Sequence, residues 1–531
     1  MSGSFTAAPE NVPAAGEVRI QGVDKIYPGR TGSVTALRDV DVLVKGGEFL
    51  SILGPSGCGK STLLRCVGGL DHPSRGSITL EGRPIDAPPL DMGFVFQRDV
   101  LLDWLNVINN VLLPCRLKRL PIDKWRPKAL AQLQLMGLAG FEHRHPWELS
   151  GGMRQRVAIC RALLLNPTLL LMDEPFGALD AMTRDELNLE LQNVWLSNTK
   201  TVLFVTHSII EAVFLADRVL VMSRSPGRIV DVISVDLPRP RALSVRETPG
   251  FTNTSLIFAN CSKALVSCGV PMYDNSTMET GKRTLSVLLV VIVFLAVWQL
   301  MVMLFRPPEY LLPSPLSVVK ELGTAPEWYL SHASRTIGAT LLGFAVALLL
   351  GFAAAVGIVY SRILENTLYT LLVALNSIPK IALAPLFIIW LGTGLSSKVA
   401  VSFTIAVFAI VVDTVLGLRS VDPDALDLFK SVRATSLQIL VRLRFPNALP
   451  YLFAGMKVAI SLALVGAIAG EFVASQAGLG YVILAAQGSF QTTRVFAAIF
   501  LLGILGTILF FIVELLEWVV CPWHVSHRKR P

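Results

Sequence analysis

One nine-residue run, Gly54-Pro55-Ser56-Gly57-Cys58-Gly59-Lys60-Ser61-Thr62, carries residue types that can hold a polyphosphate. Gly54, Gly59, Lys60 and Ser61 stand at the fixed places of the spacing G-x-x-x-x-G-K-[ST]. The glycines there let backbone N–H groups curl around phosphate oxygens. Lys60 can reach the β- and γ-phosphates, and the Ser61 hydroxyl can ligate Mg2+. A strand-like run at 48–53 precedes the loop and a helix-like run at 61–67 follows it, so a helix N-terminus adds its positive end to the site. Cys58 reads as a small residue that fits the loop, with a thiol open to alkylation when the site is empty. The chemistry implied is binding and hydrolysis of a nucleoside triphosphate. What the hydrolysis drives must come from the rest of the chain.

Two further runs complete a hydrolytic set. Leu149-Ser150-Gly151-Gly152-Met153-Arg154-Gln155 is followed by Leu169-Leu170-Leu171-Met172-Asp173-Glu174-Pro175. The second is an apolar strand ending in two acids. A buried strand of this kind delivers Asp173 to Mg2+ near the phosphates, and the next carboxylate, Glu174, can polarise the attacking water. The elements that must position these groups lie in residues 18–249. There, short β-branched runs such as 201–205 and 218–222 alternate with amphipathic stretches, the pattern of a soluble α/β domain.

The chain has 531 residues, which implies two or more domains. It is 52% hydrophobic with a mean hydropathy of +0.57, and only 16% of residues are charged. Soluble proteins carry about 25% charged residues, so part of this chain is expected in a lipid bilayer. Six uncharged or nearly uncharged stretches follow residue 280, at 284–304, 336–361, 366–391, 399–418, 449–470 and 495–520, enough for about six spans. The third is broken by Pro379, Lys380 and Pro385. The net charge of +8 fits basic loops on the cytoplasmic side, where Lys282, Arg283, Arg362, Arg419, Lys430, Arg433, Arg442, Arg444, Arg528, Lys529 and Arg530 all fall. No basic run is interleaved with aromatics, so no nucleic-acid partner is expected. The seven cysteines show no C-x-x-C pairing and are odd in number, which implies free thiols in a reducing compartment. Residues 1–17 lack a basic, then apolar, leader and are expected to be a short disordered cytoplasmic tail. Residues 250–281 are expected to hold a closing helix at 255–266 and an exposed linker at 272–281. Residues 282–531 form the expected membrane domain, with a polar loop at 419–447.

With Lys60, Asp173-Glu174 and Leu-Ser-Gly-Gly together, residues 18–249 resemble the nucleotide-binding domain of the ATP-binding cassette (ABC) transporters. The resemblance implies an α/β P-loop NTPase domain followed by an all-α polytopic membrane domain of about six transmembrane helices, with ATP and Mg2+ as cofactors. It implies roles as well. Tyr27 stacks on adenine. Gln97 touches Mg2+ near the contact with the membrane domain. Ser150, Gly151 and Gly152 cap the γ-phosphate of ATP held by a second cassette. Asp180 links the two sites, His207 holds the γ-phosphate, and Glu174 serves as catalytic base.

The membrane half, from Glu309-Tyr310-Leu311-Leu312-Pro313-Ser314-Pro315 to Gly478-Leu479-Gly480-Tyr481, resembles permeases of the nitrate/sulfonate/taurine importers. The cassette is similar to that family at Leu101–Val107 and Asp236–Pro240. Within the polar loop, Asp422 caps and Pro423 opens a plausible short helix, which resembles the coupling helix of binding-protein-dependent importers. Where that family's loop reads Glu-Ala-Ala with a glycine four residues on, this chain has Asp427-Leu428-Phe429 and Arg433. The bulk and charge of Arg433 put coupling strength at issue. One chain holds one phosphate loop and one Ser-Gly-Gly, so a second copy in a homodimer, or a related half-transporter, is implied. The resemblance also implies an external substrate-binding protein, a small and anionic solute, and a place in the inner membrane with the ATPase domain cytoplasmic. An ATP-regulated channel or sensor, an exporter, and import of a vitamin precursor are the other readings. Lys380, Asp413, Lys457 and Glu471, with Asn376 beside them, are the polar residues within spans that could face a cavity; Lys380 is the favoured anion-attracting one, and Lys457 and Glu471 lie near enough to span ends to snorkel to the interface.

Overall fold

The computed structural model describes residues 15–29, 32–177, 179–197, 199–248, 250–252, 254 and 281–524, with the side chains of 281–292 and Ala474 left aside. Most of the expected tail, the expected closing helix, nearly all of the expected linker, Cys261, Cys268 and the basic residues 528–530 lie outside the described residues. The chain separates into two compact units. One comprises residues 1–270 with 422–443, and the other 271–421 with 444–531.

In the first unit, a six-stranded sheet runs in the order Ile229–Ser234, Arg218–Met222, Phe49–Leu53, Thr201–Thr206, Leu169–Asp173, Met92–Val95. All neighbours are parallel except the Ile229–Ser234 edge. Every residue of Phe49–Leu53 and Thr201–Thr206 is buried. Strands covered on both faces read as continuous apolar runs rather than as alternation, which is why these segments stand out in the sequence. Three adjacent strands end side by side. Their carboxyl ends carry the phosphate loop, Asp173-Glu174 and Thr206-His207, the edge at which open parallel sheets present ligand sites. Phe204 on the middle strand contacts Phe49 and Phe176 at 5.9 and 5.7 Å between ring centroids, which fixes the turn after Glu174 from below. A second, antiparallel sheet runs Gly32–Val44, Val18–Gly29, Arg75–Leu80, Arg83–Pro84 and presents Tyr27 near a strand end.

The second unit is helical. Pro326–Tyr360, Leu395–Arg419, Ser436–Val473 (begun in the first unit) and Thr492–Val520 are long and apolar enough to cross a bilayer. The expected third span is a pair of helices, Arg362–Asn376 and Lys380–Leu391, bent by 94° at Pro379, and can count as a fifth. The expected first span lies on the helix Gly281–Phe305. Leu395–Arg419 packs closely against its neighbours through small residues. A Cβ on Gly466 would lie 2.6 Å from the Ser402 Cα, and one on Gly343 would meet the Ser402 hydroxyl. Ser402 Oγ donates to the Ala463 carbonyl at 2.9 Å. Contacts of this sort hold helices together where lipid offers no hydrophobic gain.

Several polar groups in this unit find partners on its own helices. Lys457 Nζ lies 2.5 Å from Glu517 Oε2. Glu471 is fully buried and accepts from Thr336 Oγ1 at 2.9 Å and from Gly480 N at 2.8 Å. Both side chains turn to these partners within the unit. Lys380 Nζ donates to Asn376 Oδ1 at 2.6 Å.

Candidate functional site

The phosphate loop turns at Gly59, whose φ of 99° is left-handed; a Cβ there would sit 2.8 Å from the Ala36 carbonyl. Glycine answers both demands. The helix Lys60–Val67 starts at once behind it. Lys60 is buried, its Nζ donating to the carbonyls of Gly54 and Pro55 at 2.8 and 3.0 Å and lying 3.7 Å from Glu174 Oε1. Ser61 Oγ donates to Asp173 Oδ1 at 2.9 Å. Burial pushes the Asp173 carboxyl up to about 6, against the opposing Ser61 bond. A hydroxyl and a half-buried carboxylate, the latter short of water, are donor types that suit Mg2+.

Glu174 follows at a φ of 41°, an unusual backbone for a non-glycine residue and one that must be held by its surroundings. Its N–H donates to the Val205 carbonyl at 3.0 Å. Its carboxylate meets His207 Nδ1 at 3.2 Å. The His207 bond and the Lys60 charge hold the Glu174 carboxyl low against the effect of burial, and the same bond raises His207. Lys60, Ser61, Asp173, Glu174 and His207 therefore meet in one place, with the Glu174 carboxylate between Lys60 and His207.

The other expected site residues stand on separate elements. Tyr27 is partly exposed; its hydroxyl donates to Asp71 Oδ2 at 2.7 Å and interacts with Thr62, at the end of the phosphate loop. Burial and the Asp71 bond push that phenol up to about 12. Gln97 is exposed. Ser150 caps the helix Gly151–Leu163, accepting from Met153 N at 3.3 Å. Ser150 and Gly151 are exposed, and a Cβ on Gly151 would meet no atom within 4 Å. This surface faces open space in the single chain. Asp180 caps the helix Ala181–Ser197, accepting from Thr183 N and Oγ1 at 3.0 and 2.8 Å. Cys58 departs from expectation. It is buried, its Sγ packs against Gly54, and burial raises its thiol, so alkylation of the empty loop is disfavoured.

The segment 422–443 belongs to the same compact unit. Its helix, Pro423–Ser431, starts with Pro423 behind an Asp422 cap, Asp422 Oδ1 accepting from Asp424 N at 2.8 Å. Phe429 and Leu428 are buried. Asp427, also buried, pairs with Arg65 on the phosphate-loop helix and with Lys430 at 3.1 Å. Arg433 has a φ of 56° and donates from Nε to the Pro88 carbonyl at 2.6 Å. Gln438 Nε2 donates to the Leu117 carbonyl at 2.8 Å. Arg98 Nη1, next to Gln97, lies 3.5 Å from Asp422.

Two family models match the chain. The ABC transporter model covers residues 37–177, and the model of the binding-protein-dependent transport system inner membrane component covers 347–518. An ABC transporter ATP-binding protein of Methanocaldococcus jannaschii is 45% identical over 42% of this chain and 84% of its own length. The chain belongs to the ABC transporter family. The taurine import ATP-binding protein TauB of Burkholderia thailandensis is 45% identical over 44% of this chain and 92% of its own length. The aliphatic sulfonates import ATP-binding protein SsuB of Bacillus cereus is 45% identical over 42% and 88%.

This ABC transporter fuses its cassette to its permease in one multi-pass membrane chain, and its ATP hydrolysis is coupled to transport. Several contacts around the candidate site escape sequence reading. Arg65, Pro88 and Leu117, which receive the 422–443 segment, carry no motif. Arg161 is another: fully buried on the helix Gly151–Leu163, it donates to the carbonyls of Val100 and Asp99 at 2.7 and 2.9 Å, while Arg154 Nε bonds Asp99 Oδ2 at 2.6 Å. The Ser-Gly-Gly helix thereby grips the loop that follows Gln97. An arginine seven residues after another on one helix was the available signal.

Proposed function

We propose that this ABC transporter imports a small anionic solute, of the sulfonate, taurine or nitrate class, across the inner membrane from an external binding protein. Two copies form the working unit, with their cassettes in the cytoplasm. The observation that carries this reading is the fusion, in one chain, of a cassette related to taurine and sulfonate import proteins with a permease region matching a binding-protein-dependent inner membrane component.

In this reading each ATP lies between the phosphate loop of one copy and Ser150, Gly151 and Gly152 of the other, and Tyr27 stacks on the adenine. The exposed, unfilled face of Gly151 supports a partner there. Residues Gly54 to Thr62 wrap the phosphates, all but Pro55 offering backbone N–H groups, and Lys60 exchanges its bonds to Gly54 and Pro55 for phosphate oxygens. Ser61, Gln97 and Asp173 would hold Mg2+. When bound, the ion neutralises charge building on the phosphates. Glu174, ionised and fixed by His207, takes a proton from the attacking water. His207 holds the γ-phosphate, and Asp180 relates one site to the other. The pair Asp427–Arg65 conveys cassette closure from the phosphate-loop helix to the coupling helix. A loop altered at Asp427 and Arg433 would suit an ATP-regulated channel if it failed to seat on the cassette. Its residues Asp427 and Arg433 both find partners in the cassette, which supports coupled pumping instead.

Glu174→Gln in the full-length protein in vesicles tests the reading. We expect ATP binding to persist and hydrolysis to fall at least 100-fold, in the range of losing a positioned general base. Unaltered turnover would sink the assignment.

A further inference from the structure

Glu211 is a buried carboxylate with no role in the scheme above. It sits in the first turn of the helix Ile209–Leu215, behind His207. Its Oε2 accepts from Thr206 Oγ1 at 2.6 Å, and Thr206 Oγ1 accepts from Ser208 N at 3.0 Å. Thr206 and Ser208 flank His207, so Glu211 braces the loop that presents the histidine. Its other oxygen, Oε1, lies 3.4 Å from Arg184 Nε. Arg184 is on the helix Ala181–Ser197, and its Nη2 donates to the Leu179 carbonyl at 2.9 Å. Leu179 immediately precedes Asp180, in the loop read as the link between two cassettes.

An ion pair that is largely buried must be matched by good geometry and further hydrogen bonds, because both groups lose water. Here each end of the pair is spent on a different loop. Arg184 holds a backbone carbonyl beside Asp180. Glu211 holds the hydroxyl beside His207. A shift of the loop at Leu179 would therefore draw Arg184, and through it the backbone on either side of His207.

Resting on the reading of a two-copy ATP site, we propose that Arg184 and Glu211 are positioning residues that make His207 in one site respond to the partner's arrival at Asp180. They act through the two loops they hold and not on the reacting groups themselves. Their effect is on the fraction of time that His207 and Glu174 stand correctly when the two cassettes are closed.

The test is ATP hydrolysis by the full-length protein in vesicles as a function of ATP concentration, with Glu211→Gln, Arg184→Gln, their double variant and Arg184→Lys. The glutamine at 211 keeps the shape and the Thr206 bond, and the lysine at 184 keeps the charge but not the fork. Each glutamine variant should lose about tenfold in kcat with KM for ATP little changed, the mark of a misplaced catalytic group. The Hill coefficient should fall toward one. The double variant should be no worse than either single variant, because the two residues act through each other. Arg184→Lys should lose cooperativity while keeping part of kcat, and binding of a fluorescent ATP analogue should stay normal in all. Wild-type kcat and Hill coefficient in Glu211→Gln or Arg184→Lys, or losses that multiply in the double variant, would overturn the proposal, provided Glu174→Gln is inactive in the same preparation. Turnover surviving Glu174→Gln would instead remove the reading beneath it.

Discussion

Removal of the Asp427 carboxylate should uncouple transport from hydrolysis. Asp427 is 3% exposed, and its partner Arg65, at 33% side-chain exposure, stands on the helix that begins with Lys60. Losing one member of a fully buried pair costs about 3–5 kcal/mol, whereas an exposed pair is worth about 0–1 kcal/mol. Arg65 retains partial access to water, so Asp427→Ala should cost the seated arrangement of the 422–443 segment about 2 kcal/mol. That is roughly a 30-fold shift between seated and unseated states. The assay is uptake and ATP hydrolysis measured side by side in the same vesicles. Hydrolysis should persist, because no residue at the phosphates is altered, while solute moved per ATP should fall about tenfold or more. Asp427→Glu keeps the charge and should lie close to wild type. An unchanged ratio of solute to ATP in Asp427→Ala would refute the reasoning.

Arg433 offers a balance of two opposed effects. Arg433→Gly relieves a left-handed backbone worth about 1 kcal/mol and loses an exposed charged bond to Pro88 worth about as much, so solute moved per ATP should stay near wild type, whereas Arg433→Ala keeps the strain, loses the bond and should lower that ratio. The Asp173 carboxyl, raised to about 6 from an ordinary 3.8 by burial, must lose its proton to bind a cation. Apparent Mg2+ affinity, measured at fixed nucleotide, should therefore fall about tenfold per pH unit below that value. The sign for stability is opposite: the raised carboxyl favours the folded, nucleotide-free cassette fully below 3.8, and this contribution is lost as pH rises through about 6, which thermal melting across that window would detect. Gly466→Val should push Leu395–Arg419 off its neighbour, since even a Cβ would lie 2.6 Å from the Ser402 Cα; uptake should disappear while binding of a fluorescent ATP analogue remains.

The candidate site residues are legible in the sequence because each is tied to a local backbone shape. A strand followed by a glycine turn and a helix places Lys60 and Ser61, and a buried strand end places Asp173 and Glu174. The parallel order of three strands then makes these local features meet. Asp422 and Pro423 likewise announce a helix start through capping chemistry that needs only neighbours in sequence. Pairings between distant segments have no such spacing. Arg65 and Asp427, or Thr336 and Glu471, lie far apart in the chain and are brought together only by packing. Arg433 shows the limit most clearly. Its charge at a glycine position looks disruptive in the sequence, but in the structure it adopts the left-handed backbone and uses its guanidinium to hold the Pro88 carbonyl. The prolines at 379 and 385 mark a broken span, yet only the structure gives the bend of 94°.

The most direct measurement of the central claim is accumulation of radiolabelled taurine or a short alkane sulfonate inside vesicles carrying the full-length protein, with MgATP on the cassette side and a loaded binding protein on the other. The account predicts accumulation above the external concentration that requires ATP and the binding protein and is abolished by Glu174→Gln. Equilibration without accumulation, or uptake that ignores ATP, would contradict it.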